Sequence, residues 1–218
     1  MIDLLHLRTS LFSLIVVALK EKFAGSLLGV GWLVIFPLMF LSIYSTVFYF
    51  ILGVRIPELG TIEYILTIFC GLVPFLAISE ALNQGVGSLL TNKRIILSTM
   101  LPFELLVVRD VIVSAVSMSI GLVLVCGFAF FLGELKLTAV LIPIIVLFQL
   151  LMTIGLVAML AVAAILVRDL SNLIPMLTLV LMLVSPIAYT SDMVPINIRY
   201  LSLVNPLAWF IDLYQQFF

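Results

Sequence analysis

The sequence predicts an all-α integral membrane protein, and three observations carry that expectation. Hydrophobic residues make up 65% of the 218-residue chain and charged residues only 10%. Mean hydropathy is +1.41, whereas soluble domains run near ~45–50% apolar and ~25% charged, and a surface this poor in charge would aggregate in water. The apolar residues also fall into runs of bilayer length, about 20 residues for a hydrocarbon core of ~30 Å. Backbone groups in lipid must hydrogen-bond within their own segment, so these runs are helices and not open strands.

The whole chain, residues 1–218, reads as a single transmembrane domain. Residues Asp3 to Ala24 carry Leu4, Leu7, Leu11, Leu14 and Ile15 at spacings of three or four, interrupted by Arg8, Lys20, Glu21 and Lys22. That pattern predicts an amphipathic helix lying in the cytoplasmic interface, or a segment whose Leu11 to Leu19 dips into the bilayer as part of a bundle, too short to span. Five complete spans follow, over Gly31 to Leu52, Ile62 to Gly87, Val111 to Leu132, Leu137 to Val167 and Leu173 to Tyr189. Their breaks are Gly53 with Arg55-Ile56-Pro57-Glu58, the long connection from Ser88 to Arg109, Gly133 with Glu134 and Lys136, and Arg168-Asp169. Residues Ser191 to Asn205 mix Pro195, Asn197 and Arg199 with Leu201, Leu203 and Val204, a composition for short half-helices at the outer surface or for a plain hairpin. A sixth apolar run starts at Leu207 after Asn205-Pro206, and the sequence stops at Phe218 before that run is long enough to cross. The expectation is therefore an incomplete sixth span, in a fragment or a truncated form. No basic segment with a short apolar core opens the chain, so no cleaved signal peptide is expected.

Seven of the ten Lys and Arg residues fall on the side that holds Arg8, Lys20, Lys22, Lys93, Arg94, Arg109 and Arg168, against Arg55, Lys136 and Arg199 on the other. The positive-inside bias puts the N-terminus in the cytoplasm.

Much chemistry is missing. A net charge of −1 offers no basic surface for nucleic acid. Cys70 and Cys126 lie in apolar runs without ligand spacing and read as small buried hydrophobes. With His6 the lone histidine, neither a metal site nor a histidine-based catalytic dyad is expected. No phosphate loop, H-E-x-x-H or G-x-S-x-G motif is present. What remains is a bundle with sparse polar positions, the way a passage through a membrane is built.

Three features stand out. Glu80 is the clearest charge within a span, roughly 15 Å of helical rise from the polar end of its run. At such depth it faces a cavity, or it bonds Asn83, Gln84 or another helix. Trp32, Phe36, Phe40, Tyr44 and Phe48 recur every four residues along the first span, either as packing or as a ladder of rings suited to the C–H faces of sugars. The Ser88–Arg109 connection is long for a bundle. There Asn92 is placed to cap a short helix ending before Pro102, with Lys93 and Arg94 exposed for a soluble partner.

Lys20-Glu21-Lys22-Phe23-Ala24-Gly25-Ser26-Leu27-Leu28-Gly29-Val30-Gly31-Trp32, with Pro37 beyond it, resembles the opening motif of ABC-2 type permeases. Within that group it looks most like the bacterial exporters of O-antigen, capsule or teichoic acid chains. Ser79-Glu80, Asn92-Lys93-Arg94 to Leu101-Pro102-Phe103, Arg168-Asp169-Leu170, Ser185-Pro186-Ile187 and Asn205-Pro206-Leu207 agree with it in order along the chain. The resemblance implies a type V exporter-like bundle in the bacterial cytoplasmic (inner) membrane, with two permease copies around a channel for a lipid-linked polysaccharide. ATP and Mg would be bound by a separate nucleotide-binding ATPase subunit, with no cofactor on this chain. It further implies that the segment with Asn92, Lys93, Arg94, Ile96 and Leu97 couples to that ATPase. The rings of the first span would guide sugar, and Ser185, Pro186, Asn205 and Pro206 would belong to an outer gate. Glu21-Lys22-Phe23 departs from the family's basic-aromatic-basic run. The alternative within transport is an ABC-2 permease for a drug, antibiotic or small lipid; a non-transporting scaffold or membrane enzyme would need catalytic groups that are not seen.

Overall fold

A computed structural model describes residues 4–54, 56, 59–99, 102–189 and 205–216, with the side chains of residues 4–7, 95 and 99 left aside. Among them the elements are α1 Leu4–Phe23, α2 Trp32–Ser45, α3 Thr61–Gly85, α4 Ser88–Thr91, α5 Lys93–Thr99, α6 Glu104–Leu132, α7 Ile142–Leu166, α8 Leu170–Val184 and α9 Pro206–Gln215. Short 3-10 turns lead into α2 (Gly29–Gly31) and α7 (Leu137–Leu141), and a π turn, Thr46–Ile51, extends α2. No strand occurs among the described residues.

Local chemistry sets the helix ends. The Glu63 carboxylate accepts the Gly60 amide at 2.9 Å and so starts α3. α6 stops at Gly133, whose φ of +76° suits glycine. There Gly133 and Glu134 return their amides to the Phe130 and Ala129 carbonyls at 3.2 and 3.0 Å. Asn205 caps α9 by accepting the Leu207 amide at 3.0 Å, and Pro206 takes the first helical position, where its missing N–H costs nothing.

α3 is the axis of the bundle. It contacts α2, α4, α6, α7, α8 and α9, and 72% of its most apolar stretch is buried. Ile68, Leu72, Phe75 and Ile78 pack with Leu106 and Val111 of α6, Val157 and Ala161 of α7, Ile174 of α8 and Ile211 of α9. On another face Leu66, Phe69, Cys70 and Val73 meet Met118, Leu122 and Val125 of α6 and Tyr214 of α9. Lipid tails are as apolar as leucine, so close backbone approach rather than a hydrophobic drive holds such contacts. At Gly121 a Cβ would stand 2.7 Å from Val73 Cγ1, and at Gly71 2.9 Å from Ile211 Cγ2. One buried polar cross-link adds to this: Gln149 of α7 donates to the Pro74 carbonyl of α3 at 3.2 Å.

Four helical segments are long and apolar enough to cross a membrane: Gly29–Ile51, Thr61–Thr91, Glu104–Leu132 and Leu137–Leu166. They match the first four predicted spans, with one shift. The third begins at Glu104, seven residues before Val111, because Arg109 and Asp110 pair with each other inside the helix instead of lying in the loop. The segment predicted as a fifth span is a 15-residue apolar helix, Leu170–Val184, and the backbone leaves the helix at Ser185-Pro186. At ~1.5 Å per residue, 15 residues reach about 22 Å, short of a full crossing. The half-helix region, 191–205, lies outside the described residues apart from Asn205, and of the sixth run α9 is described to Gln215.

α1 is a 20-residue helix packed along α6. Leu11, Leu14, Ile15, Ala18 and Lys22 are sheltered while Arg8, Lys20 and Glu21 are exposed. Phe12 and Val17 are also exposed, so the polar face is less clean than the spacing of its leucines predicts.

Candidate functional site

The C-terminal end of α1, the first half of α2, the second half of α3 and the middle of α6 and α8 line a cavity of about 600 Å³. One wall belongs to α2: Trp32, Leu33, Phe36, Pro37 and Phe40. Trp32 and Phe36 keep partly open faces, with exposures of 38% and 49%. Trp32 is oriented by its indole N–H, which donates to Ser26 Oγ at 3.0 Å. Phe36 and Phe40 sit with ring centroids 4.8 Å apart and planes at 50°, the tilted arrangement that ring quadrupoles favour. The facing wall is largely aliphatic, with Val73, Leu76, Leu179 and Met182.

The polar end of this cavity is built from three helices. Lys22 Nζ of α1 pairs with Glu80 Oε1 of α3 and donates to Ser117 Oγ of α6 at 2.7 Å. Gln84, one turn on from Glu80, donates to the same carboxylate oxygen at 3.3 Å. The side chains of Lys22 and Glu80 keep about a fifth of their surface exposed, 22% and 21%. Each therefore depends on the other, because removing one partner leaves an uncompensated charge with restricted access to water. The two readings of Glu80 left open by sequence are both realised: it lines the cavity and it bonds across helices. The partner is Lys22 of α1, joined by a weaker contact to Gln84, while Asn83 turns to the Ser79 carbonyl (2.8 Å) and Thr178 Oγ1 (3.4 Å).

A second cavity of about 430 Å³ adjoins the first, sharing Lys22 and Gln84, and is lined by Glu21, Ser88, Thr91, Asn92, Arg109 and Asp110 among others. Arg109 grips Asp110 through Nη2 at 2.6 Å and Nε at 2.8 Å. Sequence reasoning placed Arg109 in a loop and did not weigh Asp110, Ser117 or the pairing of Lys22. For Lys22 a signal existed: positions 11, 14, 18 and 22 fall on one helix face, so the lysine lies in the inward stripe.

The aromatic row divides. Trp32, Phe36 and Phe40 line the cavity, but Tyr44 is buried and donates to the Met182 carbonyl at 3.1 Å. Phe48 stacks on Tyr44 with centroids 5.2 Å apart. A four-residue step advances about 400°, so a long row rotates off any one face.

The predicted coupling segment forms α4 and α5. Asn92 stands between the two: its side-chain amide donates to the Ser88 carbonyl at 2.8 Å at the end of α4, and its backbone carbonyl accepts the Ile96 amide at 3.1 Å at the start of α5. Lys93, Arg94 and Leu97 are exposed and Ile96 is partly buried against the core. Arg168 and Asp169 form an exposed turn between α7 and α8 and line neither cavity. Ser185, Pro186 and Asn205 are buried together: Asn205 Nδ2 donates to Ser185 Oγ at 3.0 Å, with Pro206 opening α9. Tyr64 and Gln215 hold the same stretch through the Ala188 and Ile187 carbonyls, at 2.7 and 3.1 Å. Among the described residues no group of three or more His, Cys, Asp or Glu side chains could hold a metal.

A multi-pass helical membrane protein with a ring-lined cavity is what the fold and the site define. The chain belongs to the ABC-2 type transporter family, whose sequence profile matches residues 9–218. It is similar to an O-antigen export system permease protein RfbA of Klebsiella pneumoniae, at 27% identity over 188 residues, 84% of this chain and 71% of that protein. A protein of the same name from Myxococcus xanthus is 27% identical over 190 residues, 86% of this chain and 70% of its own length.

Proposed function

We propose that the chain is the membrane-spanning subunit of an ATP-driven exporter that moves a lipid-linked polysaccharide outward across the bacterial cytoplasmic membrane. The observation that carries this reading is the cavity walled by Trp32, Phe36 and Phe40, in a chain similar to permeases named for O-antigen export. Flat ring faces stack on the C–H faces of sugars without demanding a particular hydroxyl pattern, which suits a chain that must slide.

In this reading the N-terminus and α5 face the cytoplasm. A separate nucleotide-binding subunit, carrying ATP and Mg, docks on Lys93, Arg94 and Leu97, and two copies of the chain form the conduit. The permease breaks no bond. ATP binding and hydrolysis in the partner shift the bundle between closed and open states by contacting them unequally. Ser185, Pro186, Asn205 and Pro206 form the base of the outer gate.

The test is to co-express the chain with the nucleotide-binding subunit of its own organism and reconstitute the pair in vesicles. ATP-dependent appearance of lipid-linked polysaccharide on the far leaflet, read with a lectin, is expected. Failure of the two proteins to co-purify, or movement indifferent to ATP, would count against it. A second reading, an ABC-2 permease for a drug, antibiotic or small lipid, is favoured by the aliphatic wall of Val73, Leu76, Leu179 and Met182. ATPase stimulation by such compounds and not by polysaccharide would select it.

A further inference from the structure

We infer that Glu80 is a specificity-determining residue: by holding Lys22 in an ion pair it keeps the ring-lined cavity electrically neutral and so selects uncharged sugar segments over acidic ones. The inference rests on the reading of that cavity as a path for sugar.

Among the described residues lining the cavity, Lys22 and Glu80 are the only charged ones, and they are paired. The pair is fixed at both ends, since Ser117 accepts from the lysine and Gln84 donates to the carboxylate. Around it the wall is aromatic and aliphatic. A carboxylate or phosphate on an incoming sugar would shed water against that wall. The cation that could compensate it is already engaged by the Glu80 carboxylate. A neutral sugar meets none of these costs. The second cavity adds Arg109 against Glu21 and Asp110, and the Lys22 that it shares is already paired with Glu80, so it supplies no surplus positive charge.

The test uses the full chain in nanodiscs of zwitterionic lipid, in a Trp209→Phe background that leaves Trp32 as the lone tryptophan. Maltohexaose and the same oligosaccharide oxidised to carboxylates at C6 are titrated against Trp32 fluorescence. The unsubstituted site should favour the neutral form. Glu80→Gln frees Lys22 and should move the ratio of the two dissociation constants about tenfold toward the acidic form. Lys22→Gln leaves Glu80 unopposed and should move it about tenfold the other way, which keeps the inference testable if Glu80→Gln fails to fold. The charge swap, Lys22→Glu with Glu80→Lys, should retain the original preference. Binding of both sugars with a ratio that neither single substitution changes would overturn the role of Glu80 alone. No response of Trp32 to either sugar would overturn the sugar path itself, and the selectivity with it.

Discussion

The side-chain amide of Asn205 donates to the Ser185 hydroxyl at 3.0 Å while its carbonyl oxygen accepts the Leu207 amide at 3.0 Å. One buried residue thus caps α9 and ties it to the point where the chain leaves α8. Asn205→Ala removes both bonds and is expected to cost about 1–3 kcal/mol. Asn205→Asp keeps the cap acceptor but loses the amide donor. Thermal unfolding of the purified protein in detergent should rank Asn205→Ala as less stable than Asn205→Asp, and equal melting points would show that the Ser185 bond dominates.

The division of the aromatic row predicts two kinds of variant. Phe36→Ala removes a half-exposed ring from the cavity wall and should slow polysaccharide transport by roughly tenfold, the scale of ~1.4 kcal/mol, with melting little changed. Tyr44→Phe should do the reverse: transport is kept while stability falls by about 1 kcal/mol, because the Met182 carbonyl loses its donor. Transport assays run beside melting curves check both.

Lys93 and Arg94 are exposed on α5. Charge reversal at both, Lys93→Glu and Arg94→Glu, should therefore leave the fold intact while weakening capture of the nucleotide-binding subunit by about tenfold or more. Pull-down from detergent extracts measures this, and undiminished capture would remove α5 from the docking surface.

Gly121 and Gly127 lie on the same helix in opposite circumstances. A Cβ on Gly121 would press on Val73 at 2.7 Å, whereas one on Gly127 meets nothing within 4 Å. Gly121→Val is expected to destabilise by about 1–3 kcal/mol or more. Gly127→Ala should be neutral or stabilising by up to ~1 kcal/mol. Melting of the two variants side by side tests the packing of α3 on α6.

The four long spans were legible because composition alone decides them: an uninterrupted apolar run has no other way to satisfy its backbone in lipid. Arg109 misled for the same reason. Counted as a loop charge it delays the start of the third span, but paired with its neighbour Asp110 it lies inside α6. The Glu80 cavity was half legible. Its carboxylate was conspicuous, but its partner lies 58 positions away, and no local pattern encodes a meeting of α1, α3 and α6. Tyr44 and Phe48 belonged to a row whose spacing was plain, while the point at which that row turns from cavity to core depends on where α8 packs. The 15-residue length of α8 was hidden because Ser185-Pro186 interrupts a hydropathy profile that otherwise continues.

The central position of α3 bears on how such a protein can change over generations. With 72% of its apolar stretch enclosed, against 17% for the α2 segment and 22% for the α7 segment, α3 has few positions where a new side chain goes unnoticed by neighbours. Novelty is cheapest on the exposed faces of the outer helices, away from the rings that α2 turns to the cavity, where change can suit a different bilayer thickness or assembly partner. The keel stays constant while the hull is refitted.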